Sequence, residues 1–293
     1  MPELPEVETI RRDLEANLLN RRFIAVDLIT VKTAKNEADF FIKSLLNKRL
    51  KNINRYGKLL AFKLANTKNY LLIHLKMTGQ LILVGTKKKL AGGHSLNSDS
   101  FEKAVGGSLP NKHTRAIFKF NGGYNLFFND LRKFGYLKIV DEKTLEKIIK
   151  NNYGPEPSSL ALTPKYLQAI LKNRKSNIKS LLLNQKLIAG LGNIYVDEAL
   201  FASGIKPDRP GNKIKLVEIK VLIKEINKII TKAIKNRGTT FNNYLDSAGK
   251  KGNFFQLLKV YGRGNKPCLK CKQPLVKQKI AGRGTHFCKF CQK

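Results

Sequence analysis

No stretch of this 293-residue chain stays apolar over the roughly 18–20 residues needed to cross a bilayer, which excludes a helical membrane span. Acidic residues are scarce. Only 21 Asp and Glu stand against 56 Lys and Arg, leaving a formal net charge of +35. So large an excess must face water and draws a polyanion, with nucleic acid the first candidate and an anionic membrane surface the second. Lysine enrichment set by genome composition is the alternative source of such a balance. The beginning, Met1-Pro2-Glu3-Leu4-Pro5-Glu6-Val7-Glu8, lacks the basic-then-apolar order of a secretory signal, so a cytosolic protein is expected. What is present in quantity is core material. A hydrophobic content of 42% over this length predicts a globular chain of two or three domains.

Cysteine is absent before Cys268 and then comes in two pairs, Cys268-x2-Cys271 and Cys288-x2-Cys291. In a reducing compartment this spacing reads as a closed tetrahedral site for one structural Zn²⁺, two knuckles joined by a hairpin. Two disulfides are disfavoured by compartment, and iron–sulfur ligation usually uses other spacings.

Leu4, Val7, Ile10, Leu14 and Leu18 recur at three- and four-residue steps and predict an amphipathic first helix. From Phe23 to about Val140 short apolar runs predict strands, for example 23–26, 59–62, 70–73, 81–84, 116–120 and 124–128. Asn121-Gly122-Gly123 marks a hairpin turn. Strands at this spacing suggest a β-sandwich. Thr86 to Pro110, rich in Gly, Ser and Lys, is expected to be a flexible loop. Beyond Asn151-Asn152-Tyr153-Gly154-Pro155-Glu156-Pro157 the pattern turns helical, over 160–171, 178–187, 194–202 and 214–234. The expected layout is a multidomain α+β chain. A helix-and-strand domain over 1–140 and a linker over 141–157 precede a helical domain over 158–265 and a four-cysteine finger over 266–293.

If Met1 is removed, the chain begins with Pro2, whose secondary amine can attack an aldehyde-level carbon. An α-amino group titrates near 7.7–8.0, so a useful fraction is nucleophilic at neutral pH. Glu3 and Glu6 bring carboxylates that could move protons. Taken alone, Pro-Glu-Leu-Pro-Glu is equally a helix start with proline in its first turn.

Several separated motifs agree with one another. They are Pro2 to Glu8 with Arg11-Arg12, Arg55-Tyr56-Gly57-Lys58, His74-Leu75-Lys76-Met77-Thr78-Gly79, Asp130-Leu131-Arg132-Lys133-Phe134-Gly135, Gly190 to Tyr195, Gly238-Thr239-Thr240, Val260-Tyr261-Gly262-Arg263, and the four cysteines. In this order the chain resembles the bacterial formamidopyrimidine-DNA glycosylases over nearly its whole length. The resemblance implies an N-terminal helix on a β-sandwich, a helix-two-turn-helix domain and a zinc finger. It implies a bifunctional enzyme of base excision repair that excises oxidised purines (8-oxoguanine, formamidopyrimidines) from duplex DNA. A Schiff base to Pro2 would be followed by nicking through β,δ-elimination. By the same resemblance Glu3 shuttles the proton that opens the sugar, Lys58 assists glycosidic cleavage and β-elimination, Arg283 serves the second elimination, and Glu6 orients the N-terminus. Taken alone, Lys58 reads as a solvated strand charge.

Met77, Arg132 and Phe134 stand at the family's three void-filling positions, where a thioether, a guanidinium and an aromatic face replace a flipped base. Phe134 is equally explained by core packing. Asn193 resembles a phosphate contact at the start of a helix, which it can also cap. Arg174, Lys175 and Lys179 look like further backbone contacts, and His74 and His113 match DNA-contacting positions. A lone histidine is otherwise a structural hydrogen-bonder. Residues 239–260 match a lesion-covering loop that Gly249 and Gly252 would make mobile. Leu131, often proline in the family, and Arg115 are departures. The implied partner is damaged double-stranded DNA and not a membrane, the implied state a monomer, and the implied location the bacterial cytoplasm in association with the nucleoid. The nearest rival is the sister endonuclease VIII type, which acts on oxidised pyrimidines and generally begins Pro-Glu-Gly-Pro. A non-catalytic basic zinc protein explains the charge and the cysteines but leaves Pro2, Glu3 and Lys58 as coincidence.

Overall fold

The computed structural model describes residues 1–86, 89–93, 101–239 and 254–293. The chain divides into two compact units, each made of two stretches: Met1–Ile149 with Asn236–Phe255, and Lys150–Lys235 with Gln256–Lys293.

The first unit begins with helix α1 (Leu4–Leu18), whose apolar positions 4, 7, 10, 14 and 18 are all buried. Pro5 sits in its first turn, where a missing N–H costs nothing. The chain continues through β1 (Phe23–Leu28), α2 (Ala38–Leu45), β2 (Leu50–Tyr56), β3 (Leu59–Leu64), β4 (Asn69–His74), β5 (Gly79–Val84) and β6 (Lys89–Gly93). Then come α3 (Phe101–Val105), β7 (Thr114–Phe120), β8 (Tyr124–Asp130) and β9 (Tyr136–Asp141). The strands form two antiparallel sheets, ordered β1-β7-β8-β5-β6 and β2-β3-β4-β9. Their facing sides share one core in which Phe23, Phe118 and Phe128 meet Phe62, Leu71 and Ile73. The outer face of the first sheet is covered too: Ile82, Ala91, Ile117 and Phe127 pack with Val105 of α3. That second covering explains why β8 and β5 read as apolar runs rather than alternations. Helix α1 lies against edge strands β2 and β6, and α2 against edge strands β1 and β9, so each helix closes one side of the sandwich.

Two expectations are corrected here. The segment Thr86 to Pro110 is not simply a loop, because β6 pairs with β5 from Gln80↔Gly93 to Val84↔Lys89 and α3 follows. Leu90 faces the shared core and Ala91 the outer cluster, so two small contributions replace a recognisable apolar run. Nor is 141–157 a linker throughout. Helix α4 (Glu142–Asn152) fills most of it, capped by Asp141, whose Oδ1 accepts the Thr144 N–H at 2.7 Å, and anchored by buried Leu145.

The second unit carries α5 (Pro164–Leu171), α6 (Ile178–Leu183), α7 (Asn193–Ser203) and α8 (Leu216–Lys235), then the β10 (Val276–Ile280) and β11 (Arg283–Phe287) hairpin. Side-chain oxygens of Thr163 and Asn177 cap α5 and α6, and Gly204 in the left-handed region ends α7. The cysteine finger is not a separate bead. Cys268, Cys288, Leu275 and Val260 share a core with Phe201 of α7.

Candidate active site

The first turn of α1 buries its carboxylates. Pro2, Glu3 and Glu6 are all buried, and the Glu3 N–H donates to Glu6 Oε2 at 2.9 Å. The other oxygen, Oε1, accepts the Thr239 N–H at 2.8 Å and the Thr239 hydroxyl at 3.1 Å. Gly238 lies so close to this carboxylate that a Cβ would fall 2.5 Å from Oε1, and its φ of +81° suits glycine alone. Glu6 therefore ties the backbone beside Pro2 to the 238–239 strand of chain. Residues 240–253, including Gly249 and Gly252 of the expected lesion-covering loop, lie outside the described residues.

Lys58 occupies the tight turn between β2 and β3, after Gly57 at φ +58°, and is mostly buried. The turn is held from behind. Arg55 donates to the Gly57 carbonyl at 3.0 Å and to Glu8 at 3.0 Å. Glu8 also accepts from Arg11 and Arg12, at 3.1 and 2.7 Å. Burial alone would push the Glu8 carboxyl up, but hydrogen bonds from three guanidiniums overcome it and hold it down at about 2. Glu8 was visible only as part of a motif. Its spacing to Arg11 and Arg12, three and four residues along a helix, was the available signal.

Met77, Arg132 and Phe134 come together at the surface. Met77 and Phe134 are 43% and 54% exposed, Arg132 Nη1 lies 3.3 Å from Met77 Sδ, and its guanidinium stacks 4.7 Å from the Phe134 ring centre. Leu131 is 47% exposed as well, so this is an exposed surface cluster and the core alternative for Phe134 falls. His74 ends β4 beside Tyr136. Its Nδ1 accepts the Lys76 N–H at 3.0 Å, which leaves Nε2 as the protonated nitrogen. Burial, then the Lys76 and Lys58 ammoniums, push its pKa down to about 3. His74 is thus a neutral donor, not a cation. His113 is partly exposed, and its N–H donates to Asn111 Oδ1 at 3.0 Å.

In the second unit Arg174 and Lys175 are exposed at the end of α5. Lys179 is not, and the expectation that it contacts a phosphate is corrected. Its side chain is 0% exposed, with Nζ 2.6 Å from Asp197 Oδ1 and 2.8 Å from Thr285 Oγ1. An ammonium so enclosed is spent on a buried ion pair and has no reach to solvent. Asn193 is the first residue of α7 and not its cap, which is Gly192. Its side-chain amide donates instead to the Gly284 carbonyl at 2.9 Å. Arg283 is exposed at the start of β11, after a two-residue turn in which both Ala281 and Gly282 have positive φ. The four cysteine sulfurs lie within 4.8 Å of one another. Burial and the neighbouring sulfurs push the Cys291 thiol up to about 12, so four thiolates this close require a cation. They form the site of one structural zinc.

Three family models match the chain in order. These are the formamidopyrimidine-DNA glycosylase N-terminal domain over residues 1–137, the formamidopyrimidine-DNA glycosylase H2TH domain over 153–244, and the zinc finger found in FPG and IleRS over 265–293. Sandwich, helical unit and finger thus define a DNA-repair glycosylase of the helix-two-turn-helix class. The formamidopyrimidine-DNA glycosylase of Carboxydothermus hydrogenoformans is 37% identical over the full length of both chains, and that of Streptococcus mutans is 36% identical over the same span. The crystal structure of Lactococcus lactis Fpg with N7-benzyl-Fapy-dG-containing DNA superposes with a TM-score of 0.87, at 33% identity and complete coverage of both chains. The same enzyme with abasic-site DNA gives 0.87 at 32% identity, covering 99% of each. The chain belongs to the formamidopyrimidine-DNA glycosylase family.

Proposed function

We propose that this protein excises oxidised purines, 8-oxoguanine and formamidopyrimidines, from duplex DNA and then nicks the strand as an abasic-site lyase. The observation that carries this reading is the buried start of α1, where Pro2 and Glu3 adjoin Glu6 within the unit that also carries Lys58 and the exposed cluster of Met77, Arg132 and Phe134. After loss of Met1, the Pro2 amine attacks C1′ and the bond to the base breaks, the base leaving with the electron pair. Glu3 delivers a proton to the ring oxygen as the sugar opens to an iminium ion. Removal of a C2′ proton expels the 3′ phosphate, and the conjugated product expels the 5′ phosphate. Lys58 and Arg283 supply positive charge or a proton to the departing oxygens. The base must first leave the stack, at a cost of a few kcal/mol, and Met77, Arg132 and Phe134 fill the void it leaves. Arg174, Lys175, Asn193, His74 and His113 are the proposed backbone contacts, one chain sufficing for one lesion.

Borohydride trapping tests this on duplexes carrying 8-oxoguanine opposite cytosine or an oxidised pyrimidine. An adduct at Pro2, strongest with 8-oxoguanine, is expected. A stronger pyrimidine adduct would assign the endonuclease VIII specificity. No adduct from protein that mass spectrometry shows to begin at Pro2 would leave a binding protein only.

A further inference from the structure

Met77, Arg132 and Phe134 come from two loops, 75–79 and 131–135, and one buried side chain joins both. Asp130, 1% exposed, ends β8, where its backbone pairs with Gly79. Its Oδ1 accepts the Thr78 hydroxyl in a short hydrogen bond and the Arg132 N–H at 3.2 Å, and its Oδ2 accepts the Gly135 N–H at 2.7 Å. Thr78 Oγ1, having given its proton to Asp130, accepts the Arg132 N–H as well, at 3.0 Å. One carboxylate therefore fixes the residue after Met77, the backbone of Arg132 and the residue after Phe134. Each loop also contains a non-glycine residue in the left-handed region, Lys76 at φ +49° and Lys133 at φ +59°. Such conformations are disfavoured for residues with a Cβ and persist where the surroundings over-determine them. The donors to the carboxylate supply that constraint. Gly135 leaves room for it, since a Cβ there would lie 3.1 Å from Asp130 Oδ2 and 3.0 Å from the His74 carbonyl. From the other side, buried Arg115 donates to the Asp130 carbonyl at 2.9 Å and to the Lys112 carbonyl at 3.1 Å, pinning the strand end itself.

We propose that Asp130 is a positioning residue that holds Met77, Arg132 and Phe134 as a single preformed wedge, and that through Arg132 it sets discrimination of the base opposite the lesion. The inference rests on the proposed glycosylase reading. Asp130 touches no substrate. A wedge that enters a base stack must be rigid before it arrives, because an ordered loop loses less freedom on binding.

The test compares Asp130→Asn and Thr78→Val with the wild-type protein. An Asn amide keeps the shape but loses one acceptor: with its N–H₂ toward Gly135 that buried N–H is orphaned, and with its N–H₂ toward Thr78 the Arg132 N–H is left to the Thr78 hydroxyl alone. Thr78→Val removes the hydroxyl bridge and leaves the carboxylate. Both variants are expected to lose excision of 8-oxoguanine opposite cytosine by about ten- to a hundred-fold, the rate equivalent of one lost hydrogen bond to a buried carboxylate. They are also expected to narrow the preference for cytosine over adenine opposite the lesion. Cleavage of a single-stranded abasic oligonucleotide has no orphaned base and no void to fill, and should stay within about two-fold of wild type by the same reasoning. Unstacking of 2-aminopurine beside the lesion should slow in step with excision. Equal losses on duplex and single-stranded substrates would show that Asp130 merely supports the fold and would overturn the proposal, as would unchanged duplex excision and selectivity. Failure of the glycosylase reading is separately visible, because the wild-type protein itself would then excise nothing.

Discussion

Lys179→Met is expected to destabilise the second unit severely. It removes an ammonium that lies 2.6 Å from Asp197 Oδ1 and 2.8 Å from Thr285 Oγ1, with both members of the pair 0% exposed. Methionine keeps most of the stem's volume, so packing changes little. What changes is electrostatic. Of the donors at the Asp197 carboxylate, the His286 N–H at 2.9 Å stays and the charged one goes. Stranding one partner of a buried pair costs about 3–5 kcal/mol. For a unit on the order of a hundred residues, each kcal/mol lowers the melting midpoint by roughly 4 °C, so a fall of about 12–20 °C is expected. The companion Lys179→Met/Asp197→Asn removes the stranded charge while keeping an acceptor for His286, and should recover at least about 2 kcal/mol of the loss. Calorimetry on the zinc-loaded protein reads both values, with zinc content measured alongside to separate unfolding from metal loss. A drop below about 3 °C for the single variant would refute the reasoning, because that is less than 1 kcal/mol on the same scale. A double variant no more stable than the single would refute it too.

Glu8 contributes stability in the opposite sense to a basic group. Its folded pKa of about 2 lies below the unfolded carboxylate range, so its contribution is complete above about pH 4.5 and is lost as pH falls toward 2. Glu8→Gln should flatten the acid limb of a melting-temperature profile over that window, and an unchanged limb would count against the guanidinium cluster. His74, held neutral down to about 3, should show no imidazole titration by NMR between pH 5 and 8; a midpoint near 6.5 would contradict its enclosure beside Lys58 and Lys76. Ala281 carries a side chain at φ +52° in the first position of a turn that favours asparagine, so Ala281→Asn should raise the finger's stability by about 0.5–1 kcal/mol. Thermal unfolding with no gain would show the hairpin set by its anchors alone.

Much of this molecule was legible in its sequence because its signals are periodic or chemical. The 4–18 helix announces itself by apolar spacing, the β7–β8 hairpin by Asn-Gly-Gly, and the metal site by four cysteines in two knuckles. Strand β6 was hidden because Leu90 and Ala91 divide between two cores. Helix α4 was hidden because only Leu145 of its residues is fully buried. The polar side chains divide the same way. Pro2, Glu3 and Lys58 carry motifs that read at a distance. Asp130, Asp197 and Glu198 act only through partners that folding supplies: the Glu198 carboxylate accepts the N–H groups of Lys259, Val260 and Tyr261, far along the chain. Lys179 misled for the converse reason. A lysine in a basic cluster advertises charge to solvent, and nothing local reveals that Asp197 will take it inside.

The bond between Glu6 and Thr239 joins residues 233 positions apart. A ribosome adding roughly 5–20 residues per second needs about 10–50 s to cover that distance. During that interval the sandwich can assemble around α1, but the carboxylate beside Pro2 still waits for its second partner. Pro2, the proposed nucleophile, is therefore among the first residues to be synthesised, while the contact that completes the hydrogen bonding of the carboxylate beside it comes late. A nascent chain stalled before residue 238 would carry Pro2 and Glu6 without Thr239, so the long reach of this one contact sets when the surroundings of the proposed nucleophile are complete.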